Sequence, residues 1–503
     1  MRYADRMNLL GTETAFEVLA KARALEAKGR SIVHLEIGEP DFDTPAPIRA
    51  AAIRAIDEGF THYGPSAGLP EVREAIASYI ASDRRIPVTP DQVVVTPGGK
   101  PVLTFAILAT VNPGDEVIVP NPGFPIYESV VRFAGATAVS LPLREDREFR
   151  FGAADVEALL TPRTKMIVLN SPHNPTGSVL TPRDLDEIAS LVKGRDIWIL
   201  SDEIYSRILY DGVHETIASR PGMQERTILL DGFSKTYAMT GWRLGYGVMN
   251  ATLAKHVARL ATNVYSCATS FVQRAGVAAL AGPQDEVKAM VAEFRRRRDA
   301  IVSGLNAIPG VTCAKPAGAF YVFPNVTALG MSSAEGEQAL LSEAGVAVLS
   351  GTAFGSAGEG YLRFSYANSI ENIREALKRF ESFAAGRVRA AHVERHWRDL
   401  VAHRLVPDQD VPHDRPVPVA QHDRHAFLHQ PRDRLHRDAG DRKLLVECAG
   451  AAGGENRVAA ERDHGGSGKR LRGRLGQRAA RTWLDTNAPM RRSASRMFSI
   501  ELA

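Results

Sequence analysis

Between about residues 90 and 250 one unit recurs: a short, near-continuous apolar run, a turn, then a helical pattern. "QVVVTPGG" leads into "KPVLTFAILATV", and "DEVIVPNPG" into "FPIYESVVRFAG"; "TKMIVLNSPHNPTG", "DIWILSDEIY", "TILLDGFSK" and "LGYGVMN" follow. Runs such as "KMIVLN" and "DIWILSD" lack polar alternation, so both faces of each strand must be covered. The pattern predicts an α/β fold, a mostly parallel sheet with helices on both faces. It also predicts where chemistry belongs, because ligands of open α/β sheets bind outside the carboxyl ends of the strands.

The flanking sequence is organised differently. Residues 69–82 place Leu69, Val72, Ile76, Tyr79 and Ile80 on one helical face. "AGVAVLSGTAFG" (344–355) and "GYLRFSYA" (360–367) read as strands of a smaller α+β unit, and a last amphipathic helix begins at Ser369. These signals put an N-terminal arm and part of the small domain at 1–44, a large domain at 45–284, and the small C-terminal domain at 285–385. The run "RRRRD" (295–299) reads as a solvated helix face. Residues 386–503 show neither period and read as a disordered or artefactual extension.

Charge and cysteine usage exclude several classes. The formal net charge of +4 hides an asymmetry: residues 386–503 hold 23 Lys and Arg against 15 Asp and Glu, and residues 1–385 hold 39 against 43. The body therefore offers no basic surface for nucleic acid. Cys267, Cys313 and Cys448 lie far apart without metal-ligand spacing, which points to a reducing compartment, no disulfide framework and no metal. "MRYADRMNLLGTETAF" has no apolar core of signal-peptide length, and no run approaches the roughly 18 apolar residues of a membrane span. The expected location is the cytoplasm, with no membrane partner.

Each strand end brings polar or aromatic groups to the same edge. After "VVVT" come Gly98, Gly99 and Lys100; after "VIVP" comes Phe124, with Tyr127 three residues on. "KMIVLN" is followed by Asn174, "DIWILS" ends at Asp202 with Tyr205 next, and "TILLDGF" leads to Ser234 and Lys235. One ligand fits this set: a planar, cationic heterocycle bearing a phosphate and an aldehyde. An unprotonated Lys235 can bond the aldehyde carbon. Asp202 can pair with a pyridinium nitrogen and keep the ring an electron sink. Tyr205 can hydrogen-bond a ring hydroxyl, and Phe124 can stack on the ring. Gly98 and Gly99 let backbone N–H groups approach a phosphate at a helix N-terminus, where Arg243 adds a planar charged fork.

The stretch "GFSKTYAMTGWRLG" (232–245) resembles the pyridoxal-phosphate attachment motif of class I/II aminotransferases of fold type I. "SPHNPTG", "SDEIY" and "YLRFSYA" are similar to that family's other signatures, in the same order, and the resemblance covers about residues 10–385. It implies an aspartate aminotransferase-like architecture with a seven-stranded sheet, and pyridoxal 5'-phosphate as cofactor. It implies that Asn174 touches ring hydroxyl and substrate carboxylate, that Arg363 clamps the α-carboxylate, and that Gly38 borders the substrate. It further implies that Tyr63 reaches the phosphate of a neighbouring subunit, so that the active form is a homodimer with shared active sites. Phe124 stands where many relatives carry Trp or Tyr, and His173 where Asn is common.

The expected activity is amino transfer from an L-amino acid to a 2-oxo acid by a ping-pong sequence. Lys235 would act as general base on the α-proton, with Asp202 stabilising the resulting charge through the ring. Two alternatives remain open at this level: a β-lyase or related carbon–sulfur or ring-forming enzyme of the same fold, and a non-catalytic regulator built on such a domain.

Overall fold

The apolar runs become strands in the computed structural model, which describes residues 1–404, with side chains as far as Arg387. The strands are β1 (Val33–His34), β2 (Val93–Thr96), β3 (Glu116–Asn121), β4 (Thr137–Pro142), β5 (Thr164–Asn170) and β6 (Trp198–Asp202). β7 (Thr227–Gly232), β8 (Gly245–Val248), β9 (Tyr321–Val322), β10 (Val346–Ala347), β11 (Leu349–Ser350) and β12 (Leu362–Ser365) follow. Seven of them form one sheet in the order β2-β8-β7-β6-β5-β3-β4, and only β8 runs antiparallel to its neighbours. The fold is α/β, with apolar side chains covering both faces. Ile167, Leu169 and Ile199 pack into one core cluster, and Met166, Val168 and Leu200 into another. That two-sided burial is why these strands lack alternation. β4, which no continuous apolar run announces, is one of the two edge strands, with Thr137, Ser140 and Pro142 exposed.

The amphipathic segment at 69–82 forms the helix Pro70–Arg84, burying Val72, Ile76 and Ile80, with Leu69 and Tyr79 packed on the same cluster. Pro70 suits the first turn, where no N–H is needed, and Arg85 at φ 55° ends the helix. β9, β11 and β12 form a three-stranded antiparallel sheet, while β1 pairs parallel with β10. Residues 33–35 thus join the core built from Phe294, Phe320, Phe364 and Phe380. The last helix, Ile370–Arg404, runs on past residue 385, where the sequence pattern fades. The rest of the expected 386–503 extension lies outside the described residues.

The arginine run at 295–299 departs from the expected solvated face. Arg297 and Arg298 are buried. Arg297 pairs with Glu293 at 2.8 Å and Asp41 at 2.6 Å, its guanidinium 4.9 Å from the Phe42 ring. Arg298 pairs with Asp299 at 2.8 Å and lies 4.4 Å from the Tyr210 ring. Guanidinium groups stack on aromatic faces and keep their charge paired, so two of the four turn inward.

Candidate active site

A cavity of about 1060 Å³ opens where the large sheet's carboxyl edge meets the β9-β11-β12 sheet. Gly38, Gly99, Lys100, Phe124, Asn174, Asp202, Tyr205, Ser234, Lys235, Arg243 and Arg363 all line it. Two of the residues singled out from sequence do not. Gly98 sits behind Arg243, and Tyr63 is 90% exposed, away from the cavity of its own chain.

Asp202 ends β6 and is buried. The Tyr127 hydroxyl donates to its Oδ2 at 2.6 Å, and the Ile204 N–H to its Oδ1 at 3.2 Å. Burial pushes the carboxyl up to about 6, although both hydrogen bonds oppose the rise. Phe124 meets Tyr127 edge-on, with ring centres 5.6 Å apart. One tyrosine therefore steadies both the acid and the aromatic plate.

Lys235 follows β7 in a tight turn, and its amine donates to the Gly38 carbonyl at the cavity floor. Burial brings its pKa down to about 8, helped by the positive charges of Arg363 and Arg243, while Glu39 and Glu13 pull the other way. A substantial neutral fraction near pH 7–8 is what a lysine needs to attack a carbonyl or take a proton. Tyr205, also buried, sits with its hydroxyl 2.7 Å from that of Tyr321.

Gly98 has φ +83°, and a Cβ there would fall 2.2 Å from an Arg243 nitrogen. The glycine therefore makes the space in which the Arg243 fork lies. Arg243 itself adopts φ 56° and donates to the Thr240 carbonyl at 2.7 Å. Its fork, the Gly99 turn and the start of the helix Lys100–Thr110 converge on one end of the cavity, with Ser234 beside them. A phosphate fits such a cradle. The Lys100 ammonium turns away from it to pair with Glu13.

Arg363, on β12, is buried, and among the described residues it has no carboxylate partner. One nitrogen donates to Asn174 Oδ1 at 3.2 Å and another to the Glu36 carbonyl, while Nε has no partner. Burial lowers its hold on the proton. A buried guanidinium lining a cavity suits a carboxylate ligand. Asn174 is itself fixed by its N–H on Asn170 Oδ1 at 3.0 Å. Together the edge of one sheet offers an amine, an acid, an aromatic plate and a phosphate cradle, and the other sheet offers a carboxylate fork. The set fits a phosphorylated, aldehyde-bearing heterocycle.

Sequence reading placed Tyr127 at the ligand edge without giving it a role, and missed Tyr321. Tyr127 lies one helical turn after Phe124, which is a usable signal; Tyr321 sits in "GAFYVF" and nothing local distinguishes it from core. His173 is buried, its Nδ1 bonded to Thr176 at 2.8 Å, and burial holds it neutral at about 3, outside the cavity. Among the described residues no three His, Cys, Asp or Glu side chains gather as a metal site would require, and no helix is long and apolar enough to cross a membrane.

Comparison with known proteins agrees with this geometry. The family model described as aminotransferase class I and II matches residues 30–380. The aspartate aminotransferase of Pyrococcus abyssi is 40% identical over 385 residues, covering 76% of this chain and 98% of that protein. The arginine–pyruvate transaminase of Pseudomonas aeruginosa is 39% identical over 387 residues, with 76% and 98% covered. The crystal structure of an aspartate aminotransferase from Rhizobium meliloti superposes with a TM-score of 0.74 at 36% identity, covering 76% of this chain and 99% of that one.

Proposed function

This chain belongs to the class I and II aminotransferase family, and from that premise we propose how its own residues carry the reaction. The protein is a transaminase of fold type I that uses pyridoxal 5'-phosphate and moves an amino group between an amino acid and a 2-oxo acid. When bound, the cofactor supplies an aldehyde carbon that takes the amino group and an electron-poor ring that accepts the electron pair of the substrate Cα–H bond.

Lys235 would hold the cofactor through Nζ, and its free amine is the base placed to carry the substrate Cα proton. Asp202 would keep a proton on the ring nitrogen, and Tyr205 would donate to the ring hydroxyl. Phe124 covers one ring face. Gly99, Ser234, Arg243 and the backbone N–H at Lys100 would hold the phosphate, with Gly98 leaving room for the Arg243 fork. Arg363 and Asn174 grip the α-carboxylate against Gly38, which orients the Cα–H bond toward Lys235. Donor and acceptor occupy the same grip in turn, which makes the sequence ping-pong. The observation that carries this reading is the meeting of the lowered Lys235 amine and the unpaired Arg363 fork in one cavity.

Tyr63 belongs to the same reading. An exposed tyrosine outside its own cavity is assigned to the phosphate of a second copy, so the working unit is a homodimer, placed in the cytoplasm. The boundaries at 44, 284 and 385 complete it: the clamp rides on the smaller unit and the cofactor on the larger.

A single-turnover panel of amino acids, scored by 2-oxo acid formed, tests the reading and defines the preferred side chain. Amino transfer to a 2-oxo acid is expected. Release of pyruvate and ammonia without transfer would assign the chain a β-lyase role instead.

A further inference from the structure

Tyr321 connects more of this site than any other side chain that sequence left unmarked. It belongs to β9, which pairs with β12, the strand of Arg363. Its hydroxyl lies 2.7 Å from the Tyr205 hydroxyl. Its ring lies 4.5 Å from the Arg363 guanidinium carbon, and the Phe354 ring lies 4.8 Å from that same carbon. A Cβ on Gly38 would stand 2.2 Å from the Tyr321 hydroxyl. Both Tyr321 and Arg363 are buried.

Each contact has a physical consequence. Aromatic faces attract a guanidinium and fix its plane, most strongly where water is excluded. That matters for Arg363, whose fork is held at its edges by only an amide oxygen and a backbone carbonyl. Either hydroxyl of the pair can donate; with the Tyr205 proton directed to the cofactor, Tyr321 is the donor, and a phenol that donates to another makes the second a stronger donor. Gly38 also gains a reason: any larger residue would displace the Tyr321 hydroxyl.

We propose that Tyr321 is a positioning residue with two separable parts: its ring, with Phe354, sets the plane of the Arg363 fork, and its hydroxyl aims Tyr205 at the cofactor. This rests on the functional reading above. Tyr321 thereby ties the strand that carries the carboxylate clamp to the loop that carries the phenol.

The holoenzyme offers two readouts that separate the parts. One is the midpoint pH of the visible absorption of the Lys235-linked cofactor, measured without substrate. The other is KM for the amino acid that transfers fastest in the panel. Tyr321→Phe keeps the ring and volume; it is expected to raise the midpoint by about one unit and leave KM within about twofold. Gly38→Ala is expected to reproduce the midpoint shift by crowding the hydroxyl. Phe354→Leu is expected to raise KM about tenfold with the midpoint unchanged, and Tyr321→Leu to show both effects. A Tyr321→Phe midpoint equal to that of the parent overturns the hydroxyl part. Phe354→Leu with parental KM overturns the ring part, and does so even where Tyr321→Leu does not fold. A parent enzyme that holds no cofactor on Lys235 overturns the functional reading itself, before any variant is made.

Discussion

Two charge clusters share the ends of the same strands and have opposite characters. Asp202 and Glu203 are consecutive, so their side chains leave the strand end on opposite sides, and Asp231 and Lys235 are four residues apart across the turn after β7. Behind the sheet edge, Arg84 spans Glu203 at 2.7 Å and Asp231 at 2.8 Å. His214 also meets Glu203 at 2.8 Å, and the Ser201 and Thr216 hydroxyls donate to its other oxygen. Burial alone would raise the Glu203 carboxyl, but His214 and Arg84 overcome it and hold it at about 2. On the cavity side, among the described residues, Lys235 and Arg363 hydrogen-bond to carbonyls and an amide rather than to carboxylates. The paired cluster fixes strand ends; the unpaired cations leave valences that only a ligand can fill.

The sharpest way to break this contrast is Lys235→Ala. Transfer is expected to fall on the order of 10⁴-fold, with borohydride leaving no labelled peptide at position 235. Retained turnover would reduce the cavity cluster to scaffolding. Arg84→Met and Arg363→Met test the two sides against each other. Arg84→Met removes the guanidinium that answers buried Asp231 and leaves Glu203 to His214, and is expected to cost about 3–5 kcal/mol in denaturant melts. Arg363→Met is expected to leave stability near that of the parent but raise KM for amino acid and 2-oxo acid alike by about 10²-fold or more. Equal stability losses from both would erase the distinction.

Titration separates the clusters by sign. Glu203 lies below its ordinary 4.5, at about 2, so its contribution is complete above about pH 4.5 and lost as pH falls toward 2. Lys235 is the reverse: its pKa falls from 10.5 to about 8, so the fold bears a buried ammonium below pH 8 and is relieved as pH rises from 8 to 10.5. In the cofactor-free chain, Lys235→Met is expected to be more stable than the parent by about 2 kcal/mol at pH 7, the gap closing near pH 10. Urea melts at both pH values decide it; a gap independent of pH refutes the assignment. The smallest effect is expected at His173. Its ring is neutral and outside the cavity, so His173→Asn should change stability by less than about 1 kcal/mol and kcat/KM by less than about twofold.

How much of this was legible in sequence depended on the kind of signal. β5, β6 and β7 were readable because two-sided burial demands an unbroken apolar run; β4 was not, because most of its side chains reach water. Asp202, Lys235 and Asn174 were readable because each follows a strand that points at the ligand edge. Arg84, Glu203 and Asp231 form one cluster from three distant segments, and no local spacing relates them. The same holds for Tyr321 beneath Arg363. Arg297 and Arg298 show the converse, since a run of four arginines carries no mark of the aromatic rings that take two of them inside.

Sequence alone decided the α/β class, the family and the groups at the strand ends, because periodicity and strand-end chemistry are written locally along the chain. Only the tertiary structure decided which charges are answered and which are left open. Burial and the distance between remote segments set that, and these exist only once β9 and β12 close over the sheet edge.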